Sequence, residues 1–328
     1  MTLAKRALEK IQLSPTRLFY VGTGQEKLGH KCLQERAIRC FQAVSDRNVI
    51  TLAHPDIEIQ EGCIVTGMGT SKSHARYLVY LFNQYSQSKF HIQYAPISEL
   101  LSSQDSNPPQ IILFSQGLSC HAQGIINKYG ADKMILITAD DKTEPDLFQN
   151  LVRIGCGVER QTLIRLEGPF VGFLACHNLL SQAKILEPVF TDSDKELAKD
   201  ISLLGNTGLT TPTEEFTQNM LDTNSVCIIC KHPVVGFVDN IRMKFVEGCG
   251  ISNCILVDPL EFAHGTYQSI MHQKTLGNKY PIIFLDTGDS DKQWRYLQSA
   301  LIDFNIWHIT SKFSVPNKVL TFELVINN

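Results

Sequence analysis

The sequence predicts an α/β fold with two doubly wound parallel-sheet domains, each sheet having helices on both faces. From residue 62 onward, short runs rich in β-branched residues alternate with segments of helical periodicity. That order is typical of right-handed βαβ units. The chain has 328 residues, 43% hydrophobic and 19% charged, which is sufficient for two domains of ordinary size.

Strand and helix patterns follow one another in the first half. The run CIVTG at 63–67 predicts a strand that ends in glycine, and apolar residues then recur at helical spacing. IILF at 111–114 predicts the next strand, followed by a helix that Gly130 closes. MILIT at 134–138 predicts another strand, before a long helical segment. These units predict a first domain over 51–190.

The second half repeats this pattern and predicts a domain with a C-terminal tail over 191–328. Polar segments at 191–200 and 211–222 predict two connecting helices. Strand-like runs then recur at VCIIC (226–230), CILV (254–257), PIIFLD (281–286), IWHIT (306–310) and VLTFELV (319–325). Residues 1–50 predict an N-terminal helical arm that contains an isolated strand-like run, LFYVG.

Charge and hydropathy exclude several classes of partner. Thirty basic and 33 acidic residues give a net charge of −3 without runs of one sign, so we expect no nucleic-acid partner. The longest apolar stretch, 169–180, is too short to span a bilayer and contains His177 and Asn178. The N-terminus lacks the apolar core of a signal peptide. We therefore expect a soluble cytoplasmic protein without a membrane partner.

The cysteines predict buried thiols rather than disulfides or a metal site. Most of the ten cysteines lie in apolar runs, as reduced core thiols do. Cys227 and Cys230 form a C-x-x-C pair within a predicted strand. Residues three apart on a strand face opposite sides, so this pair is a poor zinc site. A turn at 286–290 is either a cation site or an acidic helix cap.

The loop after the first predicted strand has the composition of an anion site. It reads Gly-Met-Gly-Thr-Ser-Lys-Ser at 67–73, between a strand and a helix. It lacks the third glycine and the downstream acid of a dinucleotide fingerprint, and it lacks the Walker lysine spacing. A small phosphate at the helix N-terminus is one interpretation, and an ordinary Ser/Thr helix cap is the other.

The loop after the next strand strengthens the first interpretation. It reads Ser-Gln-Gly-Leu-Ser at 115–119 and again joins a strand to a helix. The carboxyl ends of parallel strands meet at one edge of a sheet, where ligands of open α/β sheets bind. Two loops rich in hydroxyls and glycine at that edge predict a phosphate-ester site.

These motifs resemble those of the sugar isomerase (SIS) domain family. The order strand, Gly-x-Gly-Thr-Ser, helix, strand, Ser-Gln is similar to an SIS domain. Lys-Phe-Val-Glu at 244–247 and Glu-Phe-Ala-His-Gly at 261–265 are similar to segments in the isomerase half of glucosamine-6-phosphate synthase. The resemblance covers the chain from about residue 62 to its end and implies two flavodoxin-like SIS domains.

The resemblance implies which residues hold the sugar phosphate. Its Gly-Thr-Ser and Ser-Gln turns match the positions Thr70, Ser71, Ser115 and Gln116, with the Gly117 N–H and Ser119 as further donors.

It also implies three catalytic residues and a homodimer. Glu247 would move a proton between carbons 1 and 2 of the open-chain sugar, a role for a carboxylate base. His264 would open the sugar ring across a dimer interface, and Lys318 would form a Schiff base with the ketose. The implied protein is a homodimeric phosphosugar isomerase or amino-sugar-phosphate deaminase that requires no metal or organic cofactor.

Departures from the family pattern leave a second function open. The family's Ser-Gln-Ser-Gly-Glu-Thr is Ser-Gln-Gly-Leu-Ser-Cys here, and RQTLIRLEG replaces its Ser-Thr-Lys stretch. We expect no glutaminase domain before the first SIS unit, and Thr2 rather than cysteine follows Met1. The alternative is a non-catalytic phosphosugar sensor that regulates a partner protein.

Overall fold

The computed structural model describes most of the chain in segments and contains two β-sheets surrounded by helices. The described residues are 26–46, 49–87, 89–104, 107–156, 165–187, 189–204, 211–288, 292–301, 303–310, 313–314 and 318–327.

Within the described residues, the first sheet has six strands in the order β1-β6-β5-β4-β2-β3. All adjacent pairs are parallel except β1 with β6, which are antiparallel. Its strands are Ile50–Leu52 (β1), Ile64–Gly67 (β2), Gln93–Tyr94 (β3), Ile111–Phe114 (β4), Met134–Thr138 (β5) and Asn150–Ile154 (β6).

The second sheet, as far as the chain is described, has four parallel strands in the order β10-β9-β7-β8. Its strands are Ser225–Cys230 (β7), Asn253–Val257 (β8), Pro281–Leu285 (β9) and Asn305–Ile309 (β10).

The helices cover the sheets and follow the strands. Their bounds are Glu26–Ser45 (α1), Thr70–Tyr85 (α2), Ile97–Ser102 (α3), Cys120–Tyr129 (α4), Glu167–Gln182 (α5), Asp192–Leu204 (α6), Glu214–Thr223 (α7), Asp239–Met243 (α8), Tyr267–Thr275 (α9), Lys292–Ala300 (α10) and Val319–Asn327 (α11). Pro259–Glu261 forms one helical turn, and Lys244–Gly248 and Phe262–Thr266 are wide π-type turns. The described connections include the 3₁₀ turns Ala131–Lys133, Pro145–Leu147 and Val234–Gly236.

Burial on both sides explains the continuous apolar runs of the central strands. Every residue of β4, β5, β7 and β9 is buried, as expected for parallel strands covered by helices on both faces. Cys227 and Cys230 belong to different apolar clusters on opposite faces of the second sheet. The prediction that these two sulfurs point apart is therefore confirmed.

One apolar cluster continues through both halves of the chain. It includes Val65 and Ile112 of the first sheet, Ile228 and Ile283 of the second, and Phe322 of α11. Helix α11 also packs against α1 and α5. The two sheets thus share part of their core through the helices between them.

The sequence prediction is wrong for the last element. VLTFELV at 319–325 was expected to be a strand, but these residues lie in helix α11. Its side chains are almost all buried, so β-branched and aromatic residues occupy its whole circumference instead of one stripe. A helix buried on all sides lacks the polar stripe that indicates helical period, and tertiary packing overrides the local strand preference.

The other predicted elements of the two halves match the observed strands and the two connecting helices, now α6 and α7. Helix α1 lies within the predicted arm, residues 1–50, and strand β1 begins at Ile50, the last residue of that arm. The run LFYVG lies outside the described residues, and the domain boundaries stay a prediction. No helix in the described part of the chain combines the length and the hydropathy needed to cross a membrane.

Candidate functional site

The first of the two predicted phosphate loops, residues 67–73, is a tight turn between β2 and α2. A Cβ on Gly67 would lie 2.4 Å from the Ser71 carbonyl oxygen, so only glycine permits this close approach. Gly69 has φ +62°, a left-handed conformation that glycine adopts at little cost. No side chain caps the N-terminus of α2, which leaves Thr70 and Ser71 beside a positive helix-dipole end.

The second loop follows β4, the parallel neighbour of β2, with Gly67 opposite Phe114. Ser115 is 7% exposed, and its hydroxyl accepts a hydrogen bond from the Ser119 N–H at 3.3 Å. The Ser119 hydroxyl in turn accepts from the Ala122 N–H at 3.3 Å and caps α4. Each hydroxyl keeps its own proton available for a ligand, since it acts as an acceptor in these contacts.

These two loops open into one pocket of about 620 Å³. The pocket contains all six side chains or backbones that the sequence predicted for phosphate binding. Its described lining residues are Met68, Thr70, Ser71, Ile97, Phe114, Ser115, Gln116, Gly117, Ser119 and Arg165. The structure thus brings the predicted loops together at the carboxyl edge of the first sheet.

Four of the described lining residues are not predicted from the sequence, and Arg165 is the only polar one among them, beside Met68, Ile97 and Phe114. It belongs to the segment RQTLIRLEG, where the chain departs from the family pattern, and it precedes α5 by two positions. Its guanidinium is the only charge among the described lining residues. The sequence signal that could have identified this residue is an arginine within the segment that replaces the family's Ser-Thr-Lys stretch.

The start of α5 forms the wall behind Gln116. A Cβ on Gly168 would lie 2.5 Å from the Gln116 amide nitrogen, so glycine makes room for that side chain. The same amide donates to the Cys156 sulfur at 3.6 Å. Glu167, 6% exposed, pairs with Arg36 of α1 at 2.9 Å. The arm helix thereby supports the wall of the pocket.

A smaller cavity of about 20 Å³ lies behind the loops and reaches His74 of α2. The His74 Nε2 donates to the Pro169 carbonyl at 2.9 Å. Burial lowers the pKa of His74 to about 4, which outweighs the opposite effect of that hydrogen bond. The ring is therefore neutral near pH 7 and contributes no charge to the site.

Lys244, in the Lys-x-x-Glu segment, forms a buried cluster with α11. Its Nζ lies 2.6 Å from Glu323 Oε2, and the two side chains expose 8% and 0% of their surface. It also contacts the Asn327 side chain, while the Asn240 amide donates to Glu323 Oε1 at 2.6 Å. Helix α8, which immediately precedes this segment, packs beside α2, since Lys72 of α2 lies 3.8 Å from Asp239 of α8.

The three predicted catalytic residues are not among the described lining residues of the pocket. Glu247 is exposed and lies one turn after Lys244. His264 is exposed in a turn with non-helical backbone angles, φ −101° and ψ 45°. Lys318 is half-buried, immediately before α11. Within one chain, the structure therefore does not unite these side chains with the phosphate loops.

Asp194 anchors the segment before Lys318 to helix α6. Its carboxylate accepts from the Ser314 N–H at 2.8 Å, from the Ser314 hydroxyl, and from the Thr191 hydroxyl at 2.9 Å. Burial alone would raise the pKa of Asp194, but these hydrogen bonds outweigh it and hold the pKa below the usual value. The carboxylate is thus ionised where it fixes the approach to α11.

The acidic turn after β9 is held by local hydrogen bonds. Asp286 accepts from the Gly288 N–H at 2.7 Å and lies 3.0 Å from His308 Nε2. Across the described part of the chain, no group of three or more His, Cys, Asp or Glu side chains could hold a metal ion. Residues 289–290, the rest of the predicted turn, lie outside the described residues.

The sequence matches no protein-family model and no curated protein. The three-dimensional structure is similar to several solved structures. Glucosamine-6-phosphate deaminase from Thermotoga maritima aligns with a TM-score of 0.60 at 14% identity, over 91% of each chain. The C-terminal domain of glucosamine-fructose-6-phosphate aminotransferase from Francisella tularensis gives 0.59 at 14%, over 93% of this chain and 94% of that one.

Tagatose-6-phosphate ketose/aldose isomerase from Escherichia coli gives a TM-score of 0.58 at 13% identity, over 93% of this chain and 90% of that one. These alignments cover both sheets, and at this identity they establish the fold rather than the activity. The chain therefore has the two-sheet SIS fold of phosphosugar isomerases, the fold that the sequence motifs implied.

Proposed function

We propose that this protein binds a sugar phosphate in the 620 Å³ pocket and acts on it as an aldose–ketose isomerase or amino-sugar-phosphate deaminase. The observation that carries the proposal is the meeting of both hydroxyl-rich loops in one pocket. Hydroxyls, the Gln116 amide and the N–H groups at the starts of α2 and α4 are donors that suit a phosphate group. The three enzymes similar in fold all have sugar phosphates in their names.

The proposed chemistry is a proton transfer by side chains. Glu247 takes the proton from carbon 2 of the open-chain aldose, the enediol forms, and the proton returns to carbon 1 to give the ketose. Lys318 condenses with the ketose carbonyl, loses water and leaves an iminium that acidifies the neighbouring C–H bond. In a deaminase, removal of the carbon 2 proton gives an enolamine, and its protonation at carbon 1 gives an iminium at carbon 2. Water then adds to carbon 2, and the amino group leaves as ammonia to give the ketose.

We also propose that the active unit is a homodimer. His264 is exposed on its turn and lies outside the pocket lining of its own chain. A partner subunit could bring this side chain to the pocket, as the family resemblance implies. Ring opening by His264 would then depend on association of two chains.

A non-catalytic phosphosugar sensor is the second candidate function. It is favoured by the absence of Glu247, His264 and Lys318 from the described pocket lining. It is also favoured by the second loop, where Gly117 and Cys120 replace a serine and a threonine of the family motif and Ser119 replaces its glutamate. A sensor needs the phosphate loops but not the acid–base residues.

Ligand binding is tested first. Thermal-shift measurements with hexose, pentose, heptose and amino-sugar phosphates identify a stabilising ligand, because a ligand stabilises the state that binds it. Replacing both Ser71 and Ser115 by alanine should abolish that shift, since each hydrogen bond to a charged group contributes about 1.5–3 kcal/mol. The matched control replaces Ser102 and Ser299, two exposed hydroxyls that donate to carbonyls of their own helices. Equal binding by both double variants would refute the site.

Isotope exchange then separates the enzyme from the sensor. The parent protein in deuterated water should introduce deuterium at carbon 2 of a bound sugar phosphate. Glu247→Gln retains the side-chain shape but removes the basic oxygen, so exchange should fall about 10²–10⁴-fold while binding survives. Tight binding without exchange for every ligand of the panel would favour the sensor.

A further inference from the structure

The pocket has a positive charge that the two phosphate loops do not supply. Arg165 is the only ionisable side chain among the described lining residues, and the others are hydroxyl, amide, glycine or apolar residues. Helix N-termini add partial charges of about +0.5 each, and α2 and α4 both begin at this pocket. The described part of the site therefore favours anions, and its one full charge comes from Arg165.

The backbone next to Arg165 is held on several sides. The Leu166 carbonyl accepts a hydrogen bond of 3.1 Å from an amide of α11. Glu167 pairs with an arginine of α1 at 2.9 Å. Gly168 packs so tightly against Gln116 that a Cβ would lie 2.5 Å from its amide nitrogen. Arg165 thus belongs to a backbone segment that is held in place beside Gln116. Less conformational entropy is therefore lost when Arg165 binds a ligand.

The ligand's own charge gives this arginine a specific task. A phosphate monoester carries about −1.5 to −2 at pH 7, whereas a sulfate monoester carries a single negative charge. Neutral hydroxyls and amides donate hydrogen bonds to either group. A guanidinium adds a full charge and a planar fork that matches two phosphate oxygens. The guanidinium therefore distinguishes the phosphate ester from the sulfate ester by charge. The neutral donors of the loops distinguish the two esters only weakly.

We propose that Arg165 is a specificity-determining residue that binds the ligand's phosphate group and makes the pocket selective for doubly charged phosphate monoesters over singly charged esters. This inference rests on the proposed function, because it assumes that a phosphorylated sugar occupies the pocket. It adds a substrate class to that function: a monoester with a terminal phosphate, and not a diester or a sulfate ester.

The test compares glucose 6-phosphate with glucose 6-sulfate by calorimetry at pH 7.5. The parent protein should bind the phosphate at least about tenfold more tightly. Arg165→Gln should weaken phosphate binding about 10- to 150-fold, as expected for a lost charge-assisted hydrogen bond. It should weaken sulfate binding much less, so that the preference between the two esters collapses. Arg165→Lys retains the charge without the fork and should keep an intermediate preference.

The control and the outcomes keep this inference separate from the proposed function. Arg295→Gln removes the same charge from an exposed position on α10 and should change neither affinity. An Arg165→Gln protein with the parent's preference overturns the inference, even if Ser71→Ala/Ser115→Ala abolishes binding and supports the pocket. If the parent binds neither ester nor any ligand of the panel, the proposed function fails and the inference with it. Equal melting temperatures of the variants without ligand exclude misfolding. If Arg165→Gln does not fold, the ester preference of Arg165→Lys tests the inference in its place.

Discussion

Lys244→Met should strongly destabilise the protein, because it leaves a buried carboxylate without its cation. Lys244 Nζ and Glu323 Oε2 lie 2.6 Å apart, and the glutamate side chain is fully buried. In the variant, the Asn240 amide still donates to Glu323. The positive charge of Lys244 is lost, so it no longer offsets the free-energy cost of burying the carboxylate away from water. The change should therefore cost far more than the net contribution of an exposed ion pair.

Removing one partner of a buried pair costs about 3–5 kcal/mol. A typical unfolding free energy is about 5–15 kcal/mol, so the variant loses a large fraction of it. Lys244→Met/Glu323→Leu removes both charges and should be more stable than the sum of the two single changes predicts. The matched control is Lys279→Met, which breaks a pair of 2.5 Å between side chains 66% and 62% exposed. That change should cost far less than Lys244→Met, because both partners stay in contact with water.

Urea unfolding followed by far-ultraviolet circular dichroism gives the free energies of unfolding of the parent, Lys244→Met, Glu323→Leu, the double variant and Lys279→Met. Thermal melts provide a second measurement, in which Lys244→Met should lower the midpoint by about 5–10 °C. The reasoning is refuted if Lys244→Met costs no more than Lys279→Met. It is also refuted if the double variant loses the full sum of the two single losses, because the charges would then act independently.

Three further outcomes are expected. The pKa of Asp194 is lowered in the folded protein. Its stabilising effect is therefore present above about pH 4 and is lost as the pH falls through the folded pKa. In thermal melts from pH 7 to 2, the difference in melting temperature between the parent and Asp194→Asn should shrink in acid. Gly67→Ala should abolish sugar-phosphate binding in calorimetry, because its Cβ would meet backbone, whereas Gly236→Ala, with nothing within 4 Å, should bind normally. Mixing inactive His264→Ala and Ser115→Ala proteins should restore part of the activity if the sites are shared between subunits; a parent protein that is fully active as a monomer in sedimentation would contradict this.

The strands and the meeting of the two hydroxyl-rich loops were predictable because their signals are local. Continuous β-branched runs indicate strands buried on both faces, and β4, β5 and β7 are such strands. Glycine and hydroxyls directly after a strand mark the carboxyl edge of a parallel sheet. The register of β2 against β4, Gly67 opposite Phe114, then brings the two loops to one pocket.

The remaining features depend on contacts between residues far apart in the chain. Arg165 carries no motif of its own, and only the packing of its segment against Gln116 and α11 explains its place in the pocket. Glu323 and Lys244 are 79 residues apart, so no local pattern pairs them. Helix α11 was mistaken for a strand because it is apolar around its full circumference, with Glu323 buried through its ion pair.

The pocket wall and the packing of the terminal helices share one short segment, 165–168. Arg165 lines the pocket, Leu166 accepts a hydrogen bond from α11, and Glu167 pairs with α1. A ligand held by Arg165 would restrain this segment, and α11 restrains it from the other side. The two restraints are therefore energetically linked, and each should strengthen the other. Lys244→Met, which loosens α11 from outside the pocket lining, should accordingly weaken sugar-phosphate binding in calorimetry, whereas Lys279→Met should leave it unchanged.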